Sequence, residues 1–108
     1  PAWEGLHPTG AETQAFLKAL ASETRQQIMQ EFATGAALTV GEIAERCGIG
    51  QSTASEQLTI LRQGGLVTST RAGKQVRYRA DPSRISDQLE VLGDFLARCC
   101  PPTGAGDS

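Results

Sequence analysis

Three groups of residues in this 108-residue chain could do chemistry. The first is a pair of adjacent thiols, Cys99-Cys100, with Cys47 as the only other cysteine. Thiolates are soft ligands, so two side by side suit a thiophilic ion or reversible oxidation. A disulfide between sequence neighbours forms only with strain. The second is a run of donors and acceptors: Gln51, Ser52, Thr53, Ser55, Glu56, Gln57 and Thr59. Such side chains can bond base edges or phosphates. The third is a cationic stretch, in which Arg62, Arg71, Lys74, Arg77, Arg79 and Arg84 face a single acid, Asp81. The whole chain has a net charge of −2, so this stretch is a local feature. For a phosphate backbone the local distribution matters more than the total. Nothing here assembles a catalyst. The one histidine, His7, lies near the N-terminus, and there is no glycine-rich phosphate loop or carboxylate cluster. An enzyme is therefore not expected.

The apolar spacing says what must position these groups. A first helix opens at Thr9 or Gly10 and carries Phe16, Leu17 and Leu20. Ser22 caps a second, with Ile28, Met29 and Phe32 on one side, and Gly35 ends it. Thr39 and Glu42 form a capping box. Val40, Ile43, Ala44 and Cys47 then share one face of a short third helix, which Gly48 stops. On that face Cys47 reads as a small core residue. Gly48-Ile49-Gly50 turns the chain into a fourth helix, about Gln51 to Gln63, held by Ala54, Leu58 and Leu61. Its other side shows the polar run. Gly64-Gly65 ends it, and strands follow at Leu66–Arg71 and Gln75–Ala80, with Ala72-Gly73 as the turn. Asp81 and Pro82 start a last helix bearing Ile85, Leu89, Leu92, Phe95 and Leu96. It reaches Cys99-Cys100, where Pro101-Pro102 end it.

This order, α-α-α-α-β-β-α, predicts a mostly α, α+β fold: a winged helix-turn-helix. One domain over residues 10–100 is expected, between an arm at 1–9 and a tail at 101–108. The fourth helix would enter the major groove of double-stranded DNA, and Arg62, Arg71, Lys74, Arg77 and Arg79 would meet the backbone. Glu56 is an acid where phosphate rewards cations. It either accepts from a cytosine amino group or closes a capping arrangement with Thr53. An interaction adaptor that has lost DNA binding is the competing reading, and Glu56 with the negative net charge supports it. No secretory signal or membrane span is visible, and three cysteines do not make a disulfide scaffold. A cytoplasmic protein is expected.

Leu20-Ala21-Ser22-Glu23-Thr24-Arg25, Gly41-Glu42-Ile43-Ala44-Glu45, Gln51 through Leu61, Gly65-Leu66-Val67 and Val76-Arg77-Tyr78-Arg79 resemble the ArsR/SmtB family of metal- and thiol-responsive repressors. The resemblance spans roughly residues 14–98. It implies a homodimer through the first and last helices, with DNA released when an inducer binds. Two family inducer sites do not carry over. Leu38–Glu42 holds no cysteine, and the last helix holds Asp87 but no histidine. Some members bind trivalent arsenic through paired cysteines at the end of that helix. The resemblance therefore implies arsenic, antimony or another soft metal as an inducer at Cys99 and Cys100, with Cys47 as the only thiol left for a third ligand and no obligatory cofactor. Glu56-Gln57 also stands where members often carry Arg-His, so an operator preference does not transfer.

Overall fold

The computed structural model describes residues 7–102. Most of the expected arm and tail, 1–6 and 103–108, lies outside the described residues. The elements run α1 (Ala11–Leu20), α2 (Glu23–Gln30), α3 (Val40–Cys47), α4 (Gln51–Gln63), β1 (Val67–Ala72), β2 (Gln75–Ala80) and α5 (Pro82–Cys99). The fold is the expected mostly helical one with a two-stranded antiparallel wing.

Local chemistry sets the boundaries. Ser22 Oγ accepts from the Arg25 N–H, and Asp81 Oδ1 from the Arg84 N–H. The Thr39–Glu42 capping box is complete, with both reciprocal hydrogen bonds formed. Helices α3 and α4 each end on a glycine in the left-handed region, Gly48 at φ 66° and Gly65 at φ 77°. In each, the next residue bonds back five positions, Ile49 N–H to Ala44 O and Leu66 N–H to Leu61 O. This closure satisfies the last carbonyls and turns the chain sharply. Between α3 and α4 it leaves only Gly48-Ile49-Gly50 as linker, which fixes the helix-turn-helix.

Three boundaries differ from the sequence expectation. Helix α2 ends at Gln30, not at Gly35. Its continuation through Ala33 tightens into i→i−3 bonds, Glu31 to Ile28, Phe32 to Met29 and Ala33 to Gln30. Strand β1 starts at Val67, because the Leu66 N–H is spent on closing α4. The hairpin turn is Gly73-Lys74, since Ala72 pairs with Gln75. Gly73 alone has positive φ there, as a type II′ turn requires.

The core lies between α1, α2, α3, α4 and the base of the wing. Phe16, Ile28, Ile43, Leu58 and Leu61 are fully buried. Each contributes about 1.5–3 kcal/mol in transfer free energy. The wing is tied to this core by an isolated bridge that the sequence did not announce. Leu38 and Tyr78 exchange both backbone hydrogen bonds, each 2.8 Å. Helix α5 packs on α1. Ile85 and Leu92 meet the core, and Gln88 Oε1 accepts a buried hydrogen bond from Thr13 Oγ1. Its apolar arc is wider than α1 covers, so Leu89 and Leu96 remain 56% and 55% exposed. Leu17 of α1 is also exposed. Among the described residues no helix is long and apolar enough to cross a membrane.

Candidate nucleic-acid interface

Helix α4 is oriented by its buried side. Ala54, Leu58 and Leu61 are wholly inaccessible. Gln51, Ser52, Thr53, Ser55, Glu56 and Arg62 are exposed, while Gln57 and Thr59 are half-buried. The polar run is thus split. Thr59 donates its hydroxyl to the Ser55 carbonyl one turn back, at 3.0 Å. Gln57 faces inward enough for its Oε1 to accept from Arg25 Nη1 at 2.8 Å. A guanidinium only donates, so this bond fixes which end of the Gln57 amide is oxygen.

Arg25 is a clamp that sequence reasoning missed. Besides Gln57, it donates through Nε to Ala19 O at 2.7 Å and through Nη2 to Lys18 O at 2.8 Å. One planar group on α2 therefore joins the last-turn carbonyls of α1 to the middle of α4. The only sequence signal was its place in the Ser22–Arg25 cap, which gives no hint of a partner 32 residues away.

The wing cations also divide. Val67 pairs with Ala80 and Arg71 with Val76, so Arg71 shares the Tyr78 face, while Arg77 and Arg79 lie on the other. Arg71, Lys74 and Arg79 are exposed, with no hydrogen bond or ion pair from their side chains among the described residues. Arg77 is committed. It donates to Ala37 O at 3.2 Å, Gln75 Oε1 at 3.1 Å and Glu42 Oε1 at 3.4 Å. The same Glu42 oxygen accepts the Thr39 N–H at 2.9 Å. The Thr39 backbone and side chain, and then the Arg77 and Arg46 charges, hold the Glu42 carboxyl below the usual range. Glu42 thus joins the start of α3 to the wing, and Arg77 acts as a brace as well as a charge.

The thiols do not converge on one centre. Cys99 and Cys100 bring their sulfurs to 2.9 Å at the end of α5. Cys100 is exposed and Cys99 half-buried. The hydrogen bond with Cys100 pushes the Cys99 thiol up, assisted by desolvation. Cys47 is half-buried on α3 and packs against the core. Burial and the nearby Glu31 push its thiol up too. Among the described residues no three His, Cys, Asp or Glu side chains cluster as metal ligands, so Cys47 does not complete the pair within one chain. His7 is exposed.

A helix-turn-helix domain family matches residues 20–70. A biofilm growth-associated repressor of Xylella fastidiosa (strain Temecula1) is 32% identical over 89 residues, 82% of this chain and 77% of that one. An ArsR-like transcriptional regulator from Rhodococcus superposes with a TM-score of 0.72 at 29% identity, over 81% of each chain. The chain belongs to the ArsR family. A homodimeric winged helix-turn-helix DNA-binding domain from Mycobacterium bovis shares 34% identity and a TM-score of 0.62, over 77% of this chain and 79% of that one. In this chain the wing follows α4 directly and α5 packs back on α1. The exposed leucines Leu89 and Leu96 of α5 and Leu17 of α1 lie on elements outside the α3–α4 pair.

Proposed function

We propose that this ArsR-family chain is a homodimeric transcriptional repressor whose α4 lies in the major groove of operator DNA. One observation carries the reading. Helix α4 is locked by a fully buried stripe that turns a hydrogen-bonding face outward, and the hairpin that follows it exposes three cations, Arg71, Lys74 and Arg79. Ser52, Thr53, Ser55 and Glu56 face the bases or nearest phosphates, and Arg62, Arg71, Lys74 and Arg79 face the backbone. Gln57, held by Arg25, and Arg77, held by Ala37 and Glu42, tie α4 and the wing to the rest of the domain, while Thr59 bonds within α4 and Gln51 flanks the face. The uncovered leucines of α5 and α1 form the dimer contact. Two α4 helices related by a two-fold axis then fall one DNA turn apart, about 34–36 Å. The relatives support this reading, one described as a repressor and one as a homodimeric DNA-binding domain.

The inducer in this proposal is a thiophilic species at Cys99 and Cys100: trivalent arsenic or antimony, another soft metal, or an oxidant. The two sulfurs fit a soft ion as donors, and they sit at the end of the helix whose leucines face the partner. A ligand there would favour a dimer geometry whose recognition helices no longer match successive grooves, with a coupling of about 1–3 kcal/mol. Both thiols must shed protons to bind metal, so the response strengthens as pH rises.

The test is fluorescence anisotropy of the reduced protein on duplex DNA from upstream of its own gene, titrated with arsenite. Release near one arsenite per cysteine pair is expected. Cys99→Ser/Cys100→Ser should keep its DNA affinity and lose the response. If the double variant responds like the parent, the inducer assignment is wrong and only the repressor reading stands.

A further inference from the structure

Glu56 is the one acid on the outward face of α4, where phosphate would favour a cation. The stripe of Ala54, Leu58 and Leu61 fixes which way the helix faces. At about 100° per residue, Glu56 lies within roughly 20° of the direction opposite that stripe. Ser52 flanks it one turn earlier. A helix docked by this face therefore puts Glu56 at its centre. The Glu56 side chain has no hydrogen bond or ion pair among the described residues, and the cap with Thr53 is not formed.

The other long side chains in these turns stand nearer the buried stripe than Glu56 does. Gln57 gives its oxygen to Arg25, so it cannot offer an adenine the paired donor and acceptor that a glutamine normally uses. Gln51 is exposed, but it stands on the α3 side of the helix, its Nε2 3.2 Å from where a Cβ on Gly41 would lie. What remains is two short serine hydroxyls, one threonine and a carboxylate. A carboxylate only accepts, and phosphate repels it.

We infer that Glu56 is a specificity residue that reads a cytosine in each operator half-site, accepting from its N4 amino group. The inference rests on α4 lying in the major groove, as proposed above. The major-groove edges decide the base. Guanine shows two acceptors, N7 and O6, and thymine shows O4 beside its methyl group. Adenine sets N7 next to its amino group. Cytosine alone presents a donor without an acceptor of its own on that edge. An acid at the centre of the reading face thus penalises every other base while adding nothing to backbone affinity.

The experiment is selection from a randomised duplex pool by the full chain, its Glu56→Ala variant and its Glu56→Gln variant, with the base preference read position by position. Glu56 is exposed, so all three should melt alike. The parent should prefer cytosine at one position of each half-site by about 10-fold or more. Glu56→Ala should lose that preference and keep the others. Glu56→Gln should move it to adenine, whose N6 and N7 match a free amide. If all three proteins select the same base at every position, Glu56 reads nothing. If both variants bind all sequences more tightly by one common factor, Glu56 is only a repelling charge, and the inference is overturned. A parent that retains no duplex at low salt overturns the groove placement itself, and with it this inference.

Discussion

Removing the Arg25 guanidinium should loosen the seat of the recognition helix more than a half-exposed arginine normally would. Arg25→Ala deletes three hydrogen bonds, to Lys18 O, Ala19 O and Gln57 Oε1, all between 2.7 and 2.8 Å. Hydrogen bonds from a charged donor are worth about 1.5–3 kcal/mol each when well shielded and less where water competes. The Lys18 bond is exposed and the other two part-buried, so a total of about 2–3 kcal/mol is expected. Gln57→Ala removes one bond and should cost about 1 kcal/mol. The double variant should cost about 1 kcal/mol less than the sum, because the shared bond is lost only once. Arg25→Lys should recover little, since a single ammonium cannot span three acceptors set out for a planar fork. Urea unfolding at one fixed protein concentration measures all four, the concentration being held because dimerisation shifts apparent stability. Strict additivity of Arg25→Ala and Gln57→Ala would refute the clamp. So would an Arg25→Ala cost below about 0.5 kcal/mol, the range of an ordinary surface change.

Three other expectations follow from the same structure. A Cβ on Gly64 would stand 2.7 Å from Ala19 Cβ and 2.9 Å from Ala15 O, so Gly64→Ala should cost about 1–3 kcal/mol in urea melts by forcing α4 off α1. Leu89→Glu/Leu96→Glu places charge on the uncovered α5 face and should turn dimer into monomer in sedimentation equilibrium, while helix content stays near that of the parent. The folded Glu42 carboxyl titrates below its ordinary value, so the stability it contributes is present above that value and lost as pH falls through the lowered one. Melts across acid pH should show this loss in the parent and a flatter profile in Glu42→Gln.

The elements were legible because their punctuation is local. Thr39 and Glu42 cap within three residues, Asp81 precedes Pro82, and Gly48 and Gly65 have the positive φ that ends a helix. The α2 boundary was misplaced because Gly35 does take a left-handed φ, but four residues after the helix has tightened out of α geometry. The Leu38–Tyr78 bridge was illegible because a single pair of residues 40 positions apart has no periodicity to read. The α4 face was legible as polar, but not as divided. Only the fold shows that Gln57 is held by Arg25 and Thr59 by its own helix, while Glu56 points outward. Likewise the basic hairpin was visible as a charge excess, whereas the braced Arg77 emerged only once Glu42 and Ala37 were placed beside it.

The most direct test of DNA binding through α4 and the wing is the salt dependence of affinity for duplex DNA, measured by anisotropy between 50 and 200 mM salt, roughly the range over which phosphate contacts are weakened. Arg62, Arg71, Lys74 and Arg79, counted on both protomers, predict a slope of log K against log salt of about −7. Replacing Arg71 and Arg79 by alanine should flatten that slope and weaken binding to all sequences alike. A parent slope near zero, or one that the substitutions leave unchanged, would contradict the placement of the wing on the phosphate backbone.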